Sequence, residues 1–342
     1  MNRKLKVIQY GVGFIGSEII KTALKKKGLE FVGAIDVINV GKDLDEVLKI
    51  GKKLDVKISN DAEIELSKHK PDIILHSTSS YLKDVYPQLV GCIEAGANVI
   101  STCEELSYPY LKHPDLSKKI DNLAKEHQVT VLGTGINPGF LMDVLPITLT
   151  SVCQDVKRVK VTRQIDAGKR RMQFQKKIGA GLTVDDFGKK ISEKTITGHV
   201  GLAESIGMIA DTLGWKLSKI DLGTPEPATA QFYVDSLHAK VQPGQVAGLR
   251  QVAHGLIGRE KIVTFDFRAY LGAAEEFDKI EIVGKPPVNQ KISPCIHGDT
   301  ATAAMVVNAI PRVVRGRRGL VTMRDLPVPA CVLGDVSESI KE

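Results

Sequence analysis

Leu5-Lys6-Val7-Ile8-Gln9-Tyr10-Gly11-Val12-Gly13-Phe14-Ile15-Gly16 is the stretch that decides the fold class of this chain. Leu5–Tyr10 reads as an apolar strand that runs straight into a glycine-rich turn and then a helix. In such a turn Gly11 permits the tight bend, Gly13 lets the backbone approach a pyrophosphate, and Gly16 lets helix and strand pack closely. The helix start adds unpaired N–H groups and a positive dipole end for the phosphates. Asp36 closes the next expected strand, Phe31–Asp36, twenty residues after Gly16, where an acid suits the 2′-hydroxyl of an adenosine ribose. The whole pattern points to a dinucleotide held by Gly11, Val12, Gly13, Phe14, Ile15, Gly16 and Asp36. Asp36 repels a 2′-phosphate and so favours NAD. Lys42 is close enough in sequence to offset that repulsion, which leaves NADP open.

Strand and helix continue to alternate with short links, the pattern of a parallel sheet covered by helices. Strands are expected at Val56–Ile58, Asp72–His76, Asn98–Ser101 and Thr130–Gly133, with helices at Leu82–Ala95 and Leu116–His127. Ligands of such sheets bind beyond the carboxyl ends of the strands. The loops to inspect are therefore Ser77-Thr78-Ser79-Ser80, Thr102-Cys103-Glu104-Glu105 and Thr134-Gly135-Ile136-Asn137-Pro138-Gly139. Ser77, Thr78, Ser79, Thr102, Cys103, Asn137 and Pro138 are candidates to bind the cofactor, with the Thr-Ser run suited to lining the nicotinamide ribose. Small hydroxyl residues, glycine and proline are also good turn formers.

A chain of 342 residues exceeds a single core, so two domains are expected: a Rossmann dinucleotide-binding domain over 1–150 and an α+β substrate and dimerisation domain over 151–342. In the second, Val156–Gln164, Gln231–Lys240, Lys261–Tyr270 and Asp278–Val283 alternate like half-buried strands. They suggest a mixed or antiparallel sheet with helices on one face. A helix is expected over His199–Leu213. Another over Asp299–Ala309 is Ala-rich and suited to docking back on the first domain.

Composition narrows the function classes. The basic start Met1–Lys6 leads into a strand rather than a signal-peptide apolar region, and no apolar run approaches a membrane span. Five scattered cysteines without a CxxC pair argue against disulfides and point to a reducing cytoplasm. No His, Cys and acid grouping has metal-ligand spacing, so no metal is expected. Residues 157–194 hold twelve Lys or Arg against four Asp or Glu. With only two phenylalanines among them, they make a poor nucleic-acid surface. They read as a solvated face, with Arg163 and Arg171 kept as candidates for an anionic substrate.

Ser101-Thr102-Cys103-Glu104-Glu105-Leu106-Ser107-Tyr108-Pro109, Gly133-Thr134-Gly135-Ile136-Asn137-Pro138-Gly139-Phe140 and Gly198-His199-Val200-Gly201-Leu202-Ala203-Glu204-Ser205, together with the glycine-rich opening, resemble the 2,4-diaminopentanoate dehydrogenase and native amine dehydrogenase family. That group shares its architecture with dihydrodipicolinate reductase. The resemblance covers nearly the whole chain. It implies NAD(P)-dependent oxidative deamination of a small amine or diamino acid, with release of ammonia, reversible as reductive amination. It also implies a homodimer built on the second domain's sheet. Two other readings stand beside it: a dihydrodipicolinate-type imine reductase and a non-catalytic dinucleotide sensor. The imine reductases carry a paired-histidine segment, and this chain has no His-His pair.

Deamination needs a base for the ammonium proton and an activated water for the imine, and one carboxylate beside the nicotinamide can serve both. Glu104 and Glu105 are the acids best placed. Neighbours on an extended segment point opposite ways, so one faces the substrate, and the resemblance favours Glu104. It also puts His199 near the substrate. His297 and Thr300 open the last helix, where N–H groups favour an anion, although capping accounts for such residues equally. Arg163 or Arg171 suits bidentate grip of a carboxylate.

Overall fold

A computed structural model describes residues 3–340. Met1 and Asn2 of the basic start, and the last two residues of the expected second domain, lie outside them. The chain forms two compact units. One joins residues up to Phe140 with those from His297 onward, and the other is Leu141–Ile296. The division thus falls ten residues earlier than 150. The helix Val144–Thr150 packs on the helix Leu202–Thr212 and on second-unit strands.

The first unit is built on a seven-stranded, all-parallel sheet. Its strands are β1 (Leu5–Tyr10), β2 (Leu29–Ile35), β3 (Ile58–Ser59), β4 (Ile73–His76), β5 (Asn98–Ser101), β6 (Thr130–Gly133) and the edge strand Gly319–Val321. Their order is β3-β2-β1-β4-β5-β6 followed by Gly319–Val321. The sheet therefore reverses direction of growth between β1 and β4, where Tyr10 pairs with His76. The carboxyl ends of these two strands flank the crevice that parallel sheets use for ligands. Ile73, Ile74 and Leu75 of β4 and Val131 and Leu132 of β6 are fully buried, because helices cover both faces and leave no side for alternation. The expected α/β class is the one found. The helix Gly298–Val314 belongs to this unit, packed on the helix Phe14–Ala23 and on β5 through small and branched residues such as Ala303, Val306 and Ile310.

The second unit carries β7 (Asp155–Asp166), β8 (Lys219–Asp221), β9 (Glu226–Thr229), β10 (Val234–Asp235), β11 (Lys240–Val241), β12 (Val246–Ile257), β13 (Glu260–Tyr270), β14 (Phe277–Lys285) and β15 (Val288–Ile292). The main sheet runs β15-β14-β7-β13-β12-β8, with β9 also on β12. β7 and β13 are parallel and the other neighbours antiparallel, so the sheet is mixed. Val159 and Val161 of β7, with Phe265 and Ile280, pack against Ile206 and Ile209 of the helix Leu202–Thr212. The other face holds Thr162, Gln164, Asp266 and Arg268.

Two expectations are corrected here. Gln231–Lys240 is not a strand. It folds into the two-residue strands β10 and β11 around a turn in which Ser236 Oγ accepts the Ala239 amide at 3.1 Å. The helix expected from His199 begins at Leu202. Gly201, at φ +103°, holds a left-handed conformation that helical backbone cannot continue through.

Candidate active site

Three glycines shape the turn after β1, each for a different reason. Gly11 has φ +90°, and a Cβ there would lie 2.4 Å from the Ser77 carbonyl oxygen. On Gly16 it would lie 1.9 Å from the Gly11 carbonyl oxygen. Both are demanded by the protein's own packing. A Cβ on Gly13 would meet nothing within 4 Å, so this glycine faces open space at the start of the helix Phe14–Ala23, where no side chain caps the backbone. An open cradle beside an uncapped helix N-terminus fits a pyrophosphate.

Asp36 lies one residue beyond β2. Its Oδ2 accepts the Val12 amide at 2.5 Å and its Oδ1 the Ile38 amide at 2.8 Å. The carboxylate is thereby fixed against the glycine-rich turn. Lys42, which could have balanced a 2′-phosphate, donates to Asn39 Oδ1 at 2.9 Å.

The loop after β4 holds its hydroxyls differently from the expectation that they face a ribose. Ser77 Oγ donates to the Gly11 carbonyl at 3.0 Å and accepts from Gln9 Nε2 at 2.9 Å, bracing the turn from beneath. Thr78 Oγ1 donates to Gln88 Oε1 at 2.7 Å, and Ser79 Oγ to Asp84 at 2.9 Å. These three side chains shape the loop. The loop after β6 is held likewise: Gly139, at φ +123°, closes on Gly135, and the Ile136 amide donates to Thr302 Oγ1 at 3.3 Å. Asn137 is half-buried and Pro138 buried within it.

After β5 come Thr102, whose amide donates to the His76 carbonyl at 2.9 Å, and Cys103, whose buried thiol is pushed up in pKa by desolvation. A short 3₁₀ turn, Glu104–Ser107, follows. Glu104 is half-buried and Glu105 is 2% exposed. Glu105 accepts from the Leu82 amide at 2.8 Å, from His113 Nε2 at 2.8 Å and from Lys112 Nζ. Burial raises the Glu105 pKa, but these donors outweigh it and hold the carboxyl below the ordinary glutamate range. Glu105 is a clasp between the 3₁₀ turn, the start of the helix Leu82–Glu94 and the His113 segment. A proton carrier needs a pKa nearer the working pH, and the clasp holds the Glu105 carboxyl away from it.

Other expected substrate residues are corrected. Arg163 is 1% exposed and pairs with Asp278 at 2.9 Å and with the Ile296 carbonyl. It shares the inward face of Val159, Val161 and Ile165, so its guanidinium is a core ion pair instead of an anion grip. His297 caps the helix Gly298–Val314, its Nδ1 accepting the Thr300 amide at 3.5 Å and lying 3.2 Å from Thr300 Oγ1. Those two residues serve the helix. His199 stacks on Phe267 at 4.6 Å between centroids, and its amide donates to Gln251 Oε1 at 2.9 Å. Arg171 is half-buried just before the short helix Met172–Lys177. Among the described residues no group of three His, Cys, Asp or Glu side chains is arranged to hold a metal ion, and no helix is long and apolar enough to cross a membrane.

Comparison with known proteins adds the chemistry. A family model of the 2,4-diaminopentanoate dehydrogenase C-terminal domain matches residues 140–342. The chain is 36% identical to 2,4-diaminopentanoate dehydrogenase of Acetoanaerobium sticklandii, over 99% of this chain and 98% of that one. This chain belongs to the 2,4-diaminopentanoate dehydrogenase family. Its structure matches that of an amine dehydrogenase from Mycobacterium smegmatis with a TM-score of 0.83 and 25% identity, covering 96% and 98% of the two chains. A 4-hydroxy-tetrahydrodipicolinate reductase of Methanococcoides burtonii is 37% identical over 68 residues, 19% of this chain and 26% of that one. The chain is thus an oxidoreductase of the amine dehydrogenase type with a nicotinamide cofactor, and the sensor reading is set aside. In this amine dehydrogenase the cradle at Gly13, the Asp36 carboxylate and the loops after β4, β5 and β6 all lie at the carboxyl edge of one sheet.

Proposed function

We propose that this dehydrogenase oxidatively deaminates a small diamino acid, 2,4-diaminopentanoate foremost. The 4-amino carbon loses a hydride and a water-derived oxygen replaces the nitrogen. The products are 2-amino-4-oxopentanoate and ammonia, and the reverse direction is reductive amination. Gly11–Gly16, Asp36 and the loop backbones after β4, β5 and β6 would hold NAD, which when bound supplies the hydride acceptor. Glu104 takes the proton from the substrate ammonium, which frees the nitrogen lone pair. Once it has passed that proton to solvent, the Glu104 carboxylate orients and deprotonates the water that attacks the imine carbon. The observation that carries the reading is the joint one: near-full-length similarity to a named diaminopentanoate dehydrogenase, and a Glu-Glu pair in which Glu105 is locked away.

NAD is favoured over NADP because Asp36 is fixed beside the turn while Lys42 is engaged by Asn39. The polar outer face of the second unit's sheet is where we put the homodimer contact, and free cysteines suit a reducing cytoplasm. Neither a nucleic acid nor a membrane enters this reading.

The test is an amine panel with NAD⁺, comparing 2,4-diaminopentanoate with 2,5-diaminohexanoate and simple alkylamines. 2,4-Diaminopentanoate should give the highest kcat/KM. Glu104→Gln should bind NADH normally and lose about two orders of magnitude or more in kcat. Unchanged turnover in that variant removes Glu104 from the mechanism, and wild-type protein that oxidises no amine removes the activity.

A further inference from the structure

His76 ends β4 inside an otherwise apolar strand and is completely buried. Its Nδ1 lies 2.8 Å from Ser101 Oγ, and its Nε2 lies 2.8 Å from Gln88 Oε1. The proton positions follow from donor counting. Gln88 Oε1 can only accept, so the Nε2 facing it is the donor and Nδ1 is left to accept from Ser101 Oγ, which itself accepts the Cys103 amide at 3.1 Å. A neutral imidazole has one N–H, so that proton sits on Nε2 and is donated to Gln88 Oε1. The same carbonyl oxygen accepts from Thr78 Oγ1 at 2.7 Å. A connected network results: the Cys103 amide, Ser101 and His76 lead to Gln88 Oε1, on which the His76 and Thr78 donors converge, and Thr78 Oγ1 itself lies 3.1 Å from His76 Nε2. It joins the loop after β5, in which Cys103 precedes Glu104, to the loop after β4.

We propose that His76, as its Nε2–H tautomer, is a positioning residue: through Ser101 it sets the Glu104 segment, and through Gln88 it sets the Thr78 loop. The role rests on the amine dehydrogenase reading above. Burial pushes the His76 pKa down to about 4, so the imidazole is neutral across the working range and its tautomer does not exchange with a charged form.

The two branches separate experimentally, because Asn places an oxygen where Nδ1 stands and Gln places an N–H where Nε2 stands. His76→Gln keeps the Gln88 branch and loses the Ser101 acceptor. It should lose about tenfold more kcat than His76→Asn. His76→Asn keeps the Ser101 branch, and its NADH dissociation constant, read by fluorescence titration, should rise about fivefold more than that of His76→Gln. Imidazole ¹⁵N spectra of the wild type should show a neutral Nε2–H ring that does not titrate near neutrality. If the Asn and Gln variants fail to fold, Ser101→Ala and Gln88→Met cut the same two branches from outside. An Nδ1–H ring overturns the proposal. So does a pair of variants whose kcat and NADH affinity fall together in step with thermal stability, as does a pair that changes neither. Wild-type protein that oxidises no amine would instead refute the activity, while the spectra and the NADH titrations still decide the positioning role.

Discussion

The imidazole Nε2 of His113 lies 2.8 Å from the carboxylate of Glu105, and this contact ties one of two adjacent acids into the fold. Glu105 is drawn inward by His113, Lys112 and the Leu82 amide, while Glu104 opens the 3₁₀ turn at a half-buried position. Glu105 thus fixes the backbone that carries Glu104, the acid proposed above for proton transfer.

Glu105→Ala is expected to be a stability variant. It leaves the Leu82 amide and the His113 ring without their acceptor in a buried place, at a cost of about 3 kcal/mol. Urea denaturation should show the loss as a lower midpoint with an unchanged slope. A midpoint like that of the wild type would mean that the clasp carries no net stability.

Acid sensitivity follows from the same region. The folded His76 pKa, about 4 against 6.5 for the free side chain, means that the unfolded chain binds the extra proton between those values. Its contribution to stability is complete above the unfolded pKa and is lost as pH falls toward the folded one. Wild-type protein should lose about 2 kcal/mol more than His76→Gln between neutrality and roughly pH 5. Glu105 adds a second loss further down, since its depressed pKa stabilises the fold above the glutamate range and not below it. Equal pH slopes for wild type and His76→Gln would contradict the assignment.

The first unit was legible because each β–α step carries its own signal: a buried apolar run, then a glycine or hydroxyl loop at the carboxyl end. The second was less so, and β12 shows why. Its sequence, Val246-Ala247-Gly248-Leu249-Arg250-Gln251-Val252-Ala253-His254-Gly255-Leu256-Ile257, is poor in strand-forming residues. Gly248 is there because a Cβ would lie 2.1 Å from the Ala269 carbonyl oxygen, and Gly255 because one would lie 2.8 Å from Ile206. Close packing replaced the pattern that marks a strand. The parallel pairing of β7 with β13 is a long-range choice that no local periodicity encodes. Arg163 was misread for a simpler reason. Counting by twos from Val159 and Val161 places it on the buried face, where the partner that makes its charge tolerable, Asp278, comes from a strand more than a hundred residues later. The Glu105 clasp and the His76 network depend on partners 7 to 25 residues away on other segments, and only the fold brings those together.

The glycine-rich turn offers a separation of folding from binding. Gly11→Ala forces a left-handed residue against the Ser77 carbonyl and should cost at least about 2 kcal/mol. Gly13→Ala meets no protein atom within 4 Å and should change stability by less than about 0.5 kcal/mol. The same variant should weaken NADH about tenfold, or 1.4 kcal/mol. Thermal melts and NADH titrations on the two variants decide it. A Gly13→Ala protein that binds NADH normally would mean that the pyrophosphate does not approach at that point.

For Arg163, the prediction distinguishes a core ion pair from a substrate grip. Arg163→Met strands the Asp278 carboxylate, which is 1% exposed, and should cost about 3 kcal/mol. Adding Asp278→Leu should restore most of that, because the uncompensated charge is then gone. KM for the diamino acid in the folded double variant should stay within about twofold of wild type. A large rise in KM with stability restored would return Arg163 to the substrate.

Cofactor choice turns on Asp36. Its carboxylate is held at the turn by the Val12 and Ile38 amides, so it cannot swing away from an incoming 2′-phosphate without leaving both donors unpaired. Lys42 donates to Asn39 on the surface, so its charge offsets only part of that repulsion. The ratio of kcat/KM for NAD⁺ over NADP⁺ should therefore exceed about 100-fold, equivalent to nearly 3 kcal/mol. Asp36→Ser removes the repulsion and one acceptor for the turn together. It should raise NADP⁺ efficiency in absolute terms while lowering that for NAD⁺, which a simple loss of turn stability cannot do because it would depress both. A wild-type preference for NADP⁺ would assign the Asp36 carboxylate to bracing the turn alone, and the discrimination would then have to come from the Asn39–Lys42 segment.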